Sequence, residues 1–532
     1  MAKNAIALRS VSAAAVIGLS LGLGATGAVA QEGGQPAGTA APAGNAATIN
    51  QETGTLTIHK KANPETTGTP TGEVDPNVSG TPLDGVGFTF FKIDAVNLNT
   101  NAGLAAAANL DARNFTLANG QVAGATKYGE EQKTNAAGEI KLSDLPIGAY
   151  YVVETTPKDG FAPASPFIAF VPMTKGNTAD GGTEWNYDVH AYPKNYQSRA
   201  EKAVEDTNKQ VGQDITFSIT GDVPGGLDPV NGLTKFSFVD DLDEAKVAYK
   251  TGETTKVEIL GANGEVLTAL AAGDFTVNHT EATQNLEVTL TDAGLKKFND
   301  GYKTTGKKLR LSFDVTVNAH GELANKATVI SNNGTGGGDT TDTTTPTNET
   351  KSYWANVKIV KKDAEDANVN LQGAEFEVYG SANETCDAAD LNGDKLTVKG
   401  KDKWTTAADG TVTIEGLHVN DFDDNSAASP EQFKAYCLLE TKSPAGYELL
   451  SKPITLQLKK TDQTAFTATA GDGAEAEVNA QAYELTATVK NLKDTTPKLP
   501  LTGGAGIGIL AAIAAVLIGA GALYARRNTK TA

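Results

Sequence analysis

Three strand-like segments near the end of the chain each carry one polar side chain on an otherwise apolar face. Residues two apart in a strand share a face, so Lys361 lies with Val357 and Ile359, Glu440 with Tyr436 and Leu438, and Asn491 with Leu485, Ala487 and Val489. Such groups on a core face are costly unless neutralised or paired. Burial lowers the pKa of a lysine, and a neutral Lys361 amine can attack the Asn491 carboxamide while Glu440 shuttles protons and ammonia leaves. The product is an intramolecular isopeptide bond; Lys362, of opposite parity, is the poorer donor. The same test aligns Lys202 with Val204, Asn325 with Ala327 and Val329, and Asp240, in preference to Asp241, with Phe236 and Phe238. A third set aligns Lys60 with Leu56 and Ile58, Glu154 with Tyr150 and Val152, and Asn195 with the apolar face of its own strand. The other reading of each set is a hydrogen-bonded or surface-ended polar cluster.

A different lysine faces outward. In Trp185-Asn186-Tyr187-Asp188-Val189-His190-Ala191-Tyr192-Pro193-Lys194, one face carries Tyr187, Val189, Ala191 and Pro193, and the other Asp188, His190, Tyr192 and Lys194. Lys194 is therefore expected to reach solvent. At the C-terminal end, Leu499-Pro500-Leu501-Thr502-Gly503 precedes an uncharged stretch that reaches Ala525, followed by Arg526, Arg527 and Lys530. That stretch is long enough to cross a bilayer core of ~30 Å, with the basic tail inside. At the other end, Lys3 and Arg9, the apolar Ala13 to Leu23 and Ala28-Val29-Ala30 read as a secretory signal, so the mature chain is expected to start at Gln31. Cys386 and Cys437 are the only cysteines, and in an exported chain they are expected to pair. Cys437 lies three positions before Glu440, which puts the disulfide on the opposite face from the Lys361 set.

The elements that position these groups follow from composition and repetition. The 532 residues suit about three or four domains. Glycine, threonine and asparagine abundance with short apolar alternations argues for an all-β chain of sandwiches. A formal charge of −19 leaves no general basic surface for nucleic acid. The five histidines lack close zinc spacing, and no metal or cofactor is expected. Of the acidic stretches, Asp390 to Asp394 lacks glycine where an EF-hand calcium loop needs it and Asp421 to Asn425 lacks the full ligand series, so both read as solvated. Ala102 to Arg113 reads as one short helix in an insertion. Thr134-x-Ala136-x-Gly138-x-Ile140-x-Leu142-x-x-Leu145 recurs as Thr406-x-Ala408-x-Gly410-x-Val412-x-Ile414-x-x-Leu417. Each copy is followed by an apolar strand ending in glutamate, Tyr150 to Thr155 and Tyr436 to Thr441. The first and last domains are thus relatives around a different middle one. The expected division is a signal at 1–30, a flexible leader at 31–54, and domains at 55–195, 196–348 and 349–494. The middle span includes a loop or linker around 334–350. The pentapeptide at 499–503, an apolar span at 504–525 and a basic tail at 526–532 complete the chain.

These features resemble the major shaft pilins of Gram-positive sortase-assembled pili, especially actinobacterial fimbrial subunits. The matching elements are the L-P-x-T-G sorting signal, the two Y-x-x-x-E-T segments (the family's E-box) and W-x-x-x-V-x-V-Y-P-K, the pilin motif, with Ala191 in place of its second valine. The resemblance implies tandem immunoglobulin-like domains of collagen-adhesin B, A and B type. It implies cleavage between Thr502 and Gly503 and transfer of the Thr502 carbonyl to Lys194 of another copy, a head-to-tail linkage that need not close. It implies Lys361, Asn491 and Glu440 as nucleophile, acceptor and acid in the last domain, and Lys202, Asn325 and Asp240 in the middle one. The expected partners are further copies, a pilin-specific sortase, cell-wall peptidoglycan, a tip subunit and an unidentified host or co-aggregating bacterial surface. The rival reading is a monomeric wall-anchored adhesin that binds a host glycan or protein, which would have no use for the pilin motif.

Overall fold

The computed structural model describes residues 48–64, 71–174, 184–252, 254–335, 342–461, 465–471 and 473–495. The signal, the leader up to residue 47, the sorting pentapeptide, the apolar span and the basic tail lie outside the described residues. Among the described residues no helix is long and apolar enough to cross a membrane.

The chain is built of β-sheets in pairs. In the first unit, Thr53–His59 lies between Asp188–Ala191, parallel to it, and Glu139–Pro146, antiparallel. Alternation in this strand sends Leu56 and Ile58 fully into the core. The facing sheet is centred on Gly148–Thr156, flanked by Phe167–Val171 and Gly87–Ile93. These strands are apolar on both faces because an insertion covers the outer one. Leu104 and Ala107 of helix Asn101–Ala107 join the same core. The sequence suggested one helix over 102–113. The structure instead ends it at Ala107 and starts a 3-10 turn at Ala112–Asn114. Asn109 bonds back to the Ala105 carbonyl and Asp111 caps Arg113 N–H, local bonds that compete with helix continuation.

In the middle unit, Asp214–Asp222 and Lys308–Val317 alternate cleanly between half-exposed and buried residues, as strands do when one face is wet. They lie in a sheet with Ala200–Glu205 and Lys256–Leu260, opposite one centred on Lys235–Asp241 and Ala327–Asn332. The stretch expected to be linker holds a strand. Thr343–Pro346 pairs with Ala327–Asn332 and buries Thr343 and Thr345, since β-branched residues at alternate positions suit an edge strand.

The 14-residue strand Thr350–Asp363 leads into the last unit. Its first residues pair with Gly321–Asn325 and its later ones run parallel to Glu484–Asn491. A second sheet, including Glu375–Ser381, Ala435–Lys442 and Ile454–Thr461, packs against it. One strand thus belongs to the end of the middle unit and the start of the last, and the two share a continuous apolar core, whereas the first unit has its own.

Candidate functional site

The repeat explains how the buried lysines are held. Lys60 N–H donates to the Gly138 carbonyl at 2.7 Å, and Lys361 N–H to that of Gly410 at 2.8 Å. Both glycines have positive φ, +73° and +74°, and a Cβ would press on the carbonyl oxygen of the same lysine at 2.4 and 2.9 Å. Each repeat threonine clips the neighbouring loop. Thr134 Oγ1 accepts from Val86 N–H and donates to Leu83 O, and Thr406 Oγ1 accepts from Ala374 N–H and donates to Leu371 O. The leading tyrosine of each glutamate strand donates to the carbonyl just after the repeat, Tyr150 to Pro146 and Tyr436 to His418. In the sequence the repeat marked kinship; its role in fixing the lysine backbones was visible only once the partners were known.

In the last unit Lys361, Glu440 and Asn491 meet in the core, at most 2 % exposed. Parallel pairing sets Asp363 opposite Asn491, two residues beyond Lys361. The Lys361 amine donates to Asn491 Oδ1 and lies 2.9 Å from Glu440 Oε1. Asn491 Nδ2 donates to both Glu440 oxygens, at 3.0 and 2.9 Å, and Leu450 N–H holds Glu440 Oε2 at 2.9 Å. The Phe376 ring lies 5.4 Å beneath the amine. Burial lowers the Lys361 pKa to about 8, against the opposing pull of Glu440. The amine thus meets the carboxamide oxygen, with one carboxylate touching both the lysine and the carboxamide nitrogens.

The first unit repeats this arrangement. Ala62 pairs with Asn195, again two residues beyond the lysine. Lys60 Nζ is 2.6 Å from Asn195 Oδ1 and 2.6 Å from Glu154 Oε2, and Asn195 Nδ2 donates to Glu154 Oε1 at 2.8 Å. Ala164 N–H takes the place of Leu450 N–H on the carboxylate, and Phe88 that of Phe376. Burial lowers the Lys60 pKa. The backbone donors Ala164 and Leu450 carry no side-chain signal and were not foreseen.

The middle set differs. Lys202 and Asp240 form a buried ion pair, with the amine 4.6 Å from the Phe217 ring centroid. Burial lowers the lysine and raises the aspartate, each opposed by the other. Asn325 is buried nearby, next but one to Ala327, which pairs with Asp240. Among the described residues no hydrogen bond joins Lys202 and Asn325; the Asn325 carboxamide instead acts on the Asp240 carboxyl, opposing the upward push of burial. Asp241, the parity-rejected neighbour, is exposed.

Lys194 follows the outward parity but is only half-exposed. It lies in a small cleft walled by Pro163, Ala164 and Ser165 of the first unit and by Tyr196, Gly225 and Gly226. The amine reaches solvent in part, with Tyr196 packed against the Gly225 backbone on one side of the cleft. Burial lowers the Lys194 pKa. Residues 48–50, assigned to the leader, are held on this segment, with Trp185 Nε1 donating to Thr48 Oγ1 and Asn50 N–H to the Tyr187 hydroxyl.

Cys386 and Cys437 form a disulfide. In the second acidic stretch Asp424 is exposed, as expected of a solvated loop, but Asp423 is buried, and both bind the middle unit. Asp424 accepts from Asp206 N–H and Asp206 from Asp424 N–H, both at 2.7 Å, while Asp423 accepts from Thr207 and Ser429. Asp390, in the first stretch, accepts from Ser381 and from Asp387 N–H. At the same junction His418 Nε2 lies 3.2 Å from Asp206 Oδ2, with both side chains fully buried. Gly416, at φ +108°, lets Val211 approach.

Tandem two-sheet units thus carry lysine, carboxamide and carboxylate sets in their cores. Residues 51–196 match the Gram-positive pilin subunit D1 N-terminal domain, 193–350 the cell surface antigen I/II C2 terminal domain, and 355–472 a prealbumin-like fold domain. Fimbrial subunit type 1 of Actinomyces viscosus is 33% identical over 93% of this chain and 94% of its own length. Fimbrial subunit type 2 of Actinomyces naeslundii is 31% identical over 88% of each. The full-length major pilin SpaD of Corynebacterium diphtheriae is 34% identical, with a TM-score of 0.60 over 85% of this chain and 100% of that structure. The chain belongs to the fimbrial subunit family, the pilins of Gram-positive cell-surface pili.

Proposed function

We propose that this pilin is polymerised by a separate sortase, which joins the Thr502 carbonyl of one copy to Lys194 of the next, and that its domains are locked by internal Lys–Asn bonds. The observation that carries the linkage is the half-exposed Lys194 amine, depressed by burial and open at the mouth of a cleft, with its neighbour Asn195 turned into the core. Transfer to an amine needs both access and the neutral form. The signal at 1–30, sorting sequence, span and basic tail fit export followed by anchoring to peptidoglycan. The domains are assigned to 55–195, 196–348 and 349–494, and a tip subunit completes the fibre.

Each internal bond forms as the lysine Nζ attacks the asparagine Cγ. The Cγ–Nδ2 bond breaks, and the buried carboxyl carries a proton from the amine to the departing ammonia. The contacts of Lys361, Asn491 and Glu440 support this, as do the matching contacts of Lys60, Asn195 and Glu154. Lys202, Asn325 and Asp240 are assigned the same roles. This is single-turnover chemistry of a structural subunit. The test is a boiled, reduced cell-wall extract, blotted for this chain, wild type beside Lys194→Ala. A high-mass ladder that collapses to monomer in the variant is expected. A ladder unchanged by the substitution moves the linkage to another lysine, and monomer in both removes it.

A further inference from the structure

His59 and His190 meet where Thr53–His59 runs parallel to the pilin-motif strand Asp188–Ala191. Their Nε2 and Nδ1 atoms are 2.8 Å apart. The ring centroids are 5.1 Å apart and the planes 20° from parallel. Centroids are thus farther apart than nitrogens by about a ring's width, so the rings lie edge to edge with their lone pairs head-on. The outer nitrogens face carboxylates: His59 Nδ1 is 3.1 Å from Glu139 Oε1, and His190 Nε2 is 3.4 Å from Asp188 Oδ2. Tyr192 covers one face of His59 at 4.6 Å, its hydroxyl accepting from Asp75 N–H. Lys61 is the cation that acts on His59. Both histidine side chains are mostly covered, 16% and 11% exposed.

The line Glu139, His59, His190, Asp188 contains three contacts, and each is satisfied by one proton. Two neutral imidazoles supply two protons and leave one carboxylate facing a bare nitrogen. A third proton satisfies all three contacts. A fourth sets two N–H groups against each other at the centre. We propose that His59 and His190 bind one shared excess proton, forming a clasp between the first strand and the pilin-motif strand, and that a second excess proton opens it. A metal ion does not suit this geometry, because cis ligands converge on a third point whereas these lone pairs oppose each other. Glu139 favours an excess proton on His59, and Asp188 is placed to accept the outward N–H of His190. Burial, Lys61 and the first proton itself oppose the second. Burial, and next His190, lower the His59 pKa in keeping with this. The clasp opens as the second excess proton binds on lowering pH, whether or not Lys194 is the linking residue.

The test is histidine-selective NMR of the full chain from about pH 8 to pH 4, with amide exchange followed in parallel. The two rings are expected to titrate together in two steps more than ~1 pH unit apart. Exchange across 188–191 is expected to rise only with the second step. His190→Asn is expected to leave His59 with a single step, and His59→Asn to do the same for His190, so either variant suffices if the other fails to fold. Rings that titrate independently, unaffected by loss of the partner, overturn the proposal. So does a second step that leaves strand exchange unchanged.

Discussion

Asn491→Ala removes the acceptor of the proposed last-unit cross-link and leaves the partners of the 2.9 Å Lys361–Glu440 ion pair in place. The bond would tie residues 130 apart. In the chain-entropy treatment of cross-links, closing a loop of that length stabilises by about 5 kcal/mol, slightly less where an inner disulfide already shortens it. For a unit of this size each kcal/mol moves the melting temperature by about 2–4 °C, so the variant is expected to melt about 10–20 °C lower in its last unit. Calorimetry of the full chain reads this, and intact-mass spectrometry reads the cause. The wild type is expected to weigh less than its sequence by one ammonia per bond, and the variant to lose one such deficit. Equal deficits in both proteins, or a deficit that vanishes with unchanged melting, would refute the reasoning. In the first case no bond forms at Asn491, and in the second the loop-entropy argument fails.

Three further outcomes follow from the geometry. Gly410→Ala is expected to destabilise by about 1–3 kcal/mol through left-handed strain and to slow appearance of the last-unit ammonia deficit, because its Cβ presses on the Lys361 carbonyl; denaturant melting and a mass time course check both. Cys386→Ser with Cys437→Ser is expected to cost about 4 kcal/mol for the 51-residue loop while leaving the deficit intact, which calorimetry and mass together report. The third outcome concerns the His418–Asp206 pair. Burial pulls the His418 pKa down, but Asp206, helped by the Val419 carbonyl and Asp423, holds it above 6.5; burial pushes Asp206 up, but His418, helped by the Ser352 hydroxyl and Asp424 N–H, holds it below 3.8. The histidine's contribution is full below 6.5 and lost as pH rises through its folded value, whereas the aspartate's is full above 3.8 and lost as pH falls through its own. Amide exchange across 206–213 is expected to be slowest between those two limits, and Asp206→Asn to flatten the profile.

Parity made much of the site legible in advance. Two-residue alternation needs no tertiary knowledge, so Lys361, Glu440 and Asn491 could be pointed at one core from the sequence, as could Lys60, Glu154 and Asn195. Contacts made by backbone or across units were not legible. The Ala164 and Leu450 N–H groups on the glutamates have no side-chain signature. The half-burial of Lys194 depends on Gly225 and Gly226, distant in sequence. The burial of Asp423 was hidden because nothing local announces that Thr207 will meet it. The helix at 101–107 ended early for a local reason, competition from Asn109 and Asp111, and Thr343–Pro346 was hidden by a threonine- and aspartate-rich composition that also suits a loop.

The parallel pairing of Thr350–Asp363 with Glu484–Asn491 bears on how a fibre takes load. Tension entering at the start of the earlier strand and leaving at the end of the later one pulls the two neighbours in opposite directions along their length. Every ladder bond between them then resists at once, as in a lap joint, whereas a hairpin peels open one bond at a time. If the pull arrives through Lys194, residues before it in the first unit lie off the line of force altogether. A stretched fibre would then strain its middle and last units and leave the first unit, with its own separate core, slack.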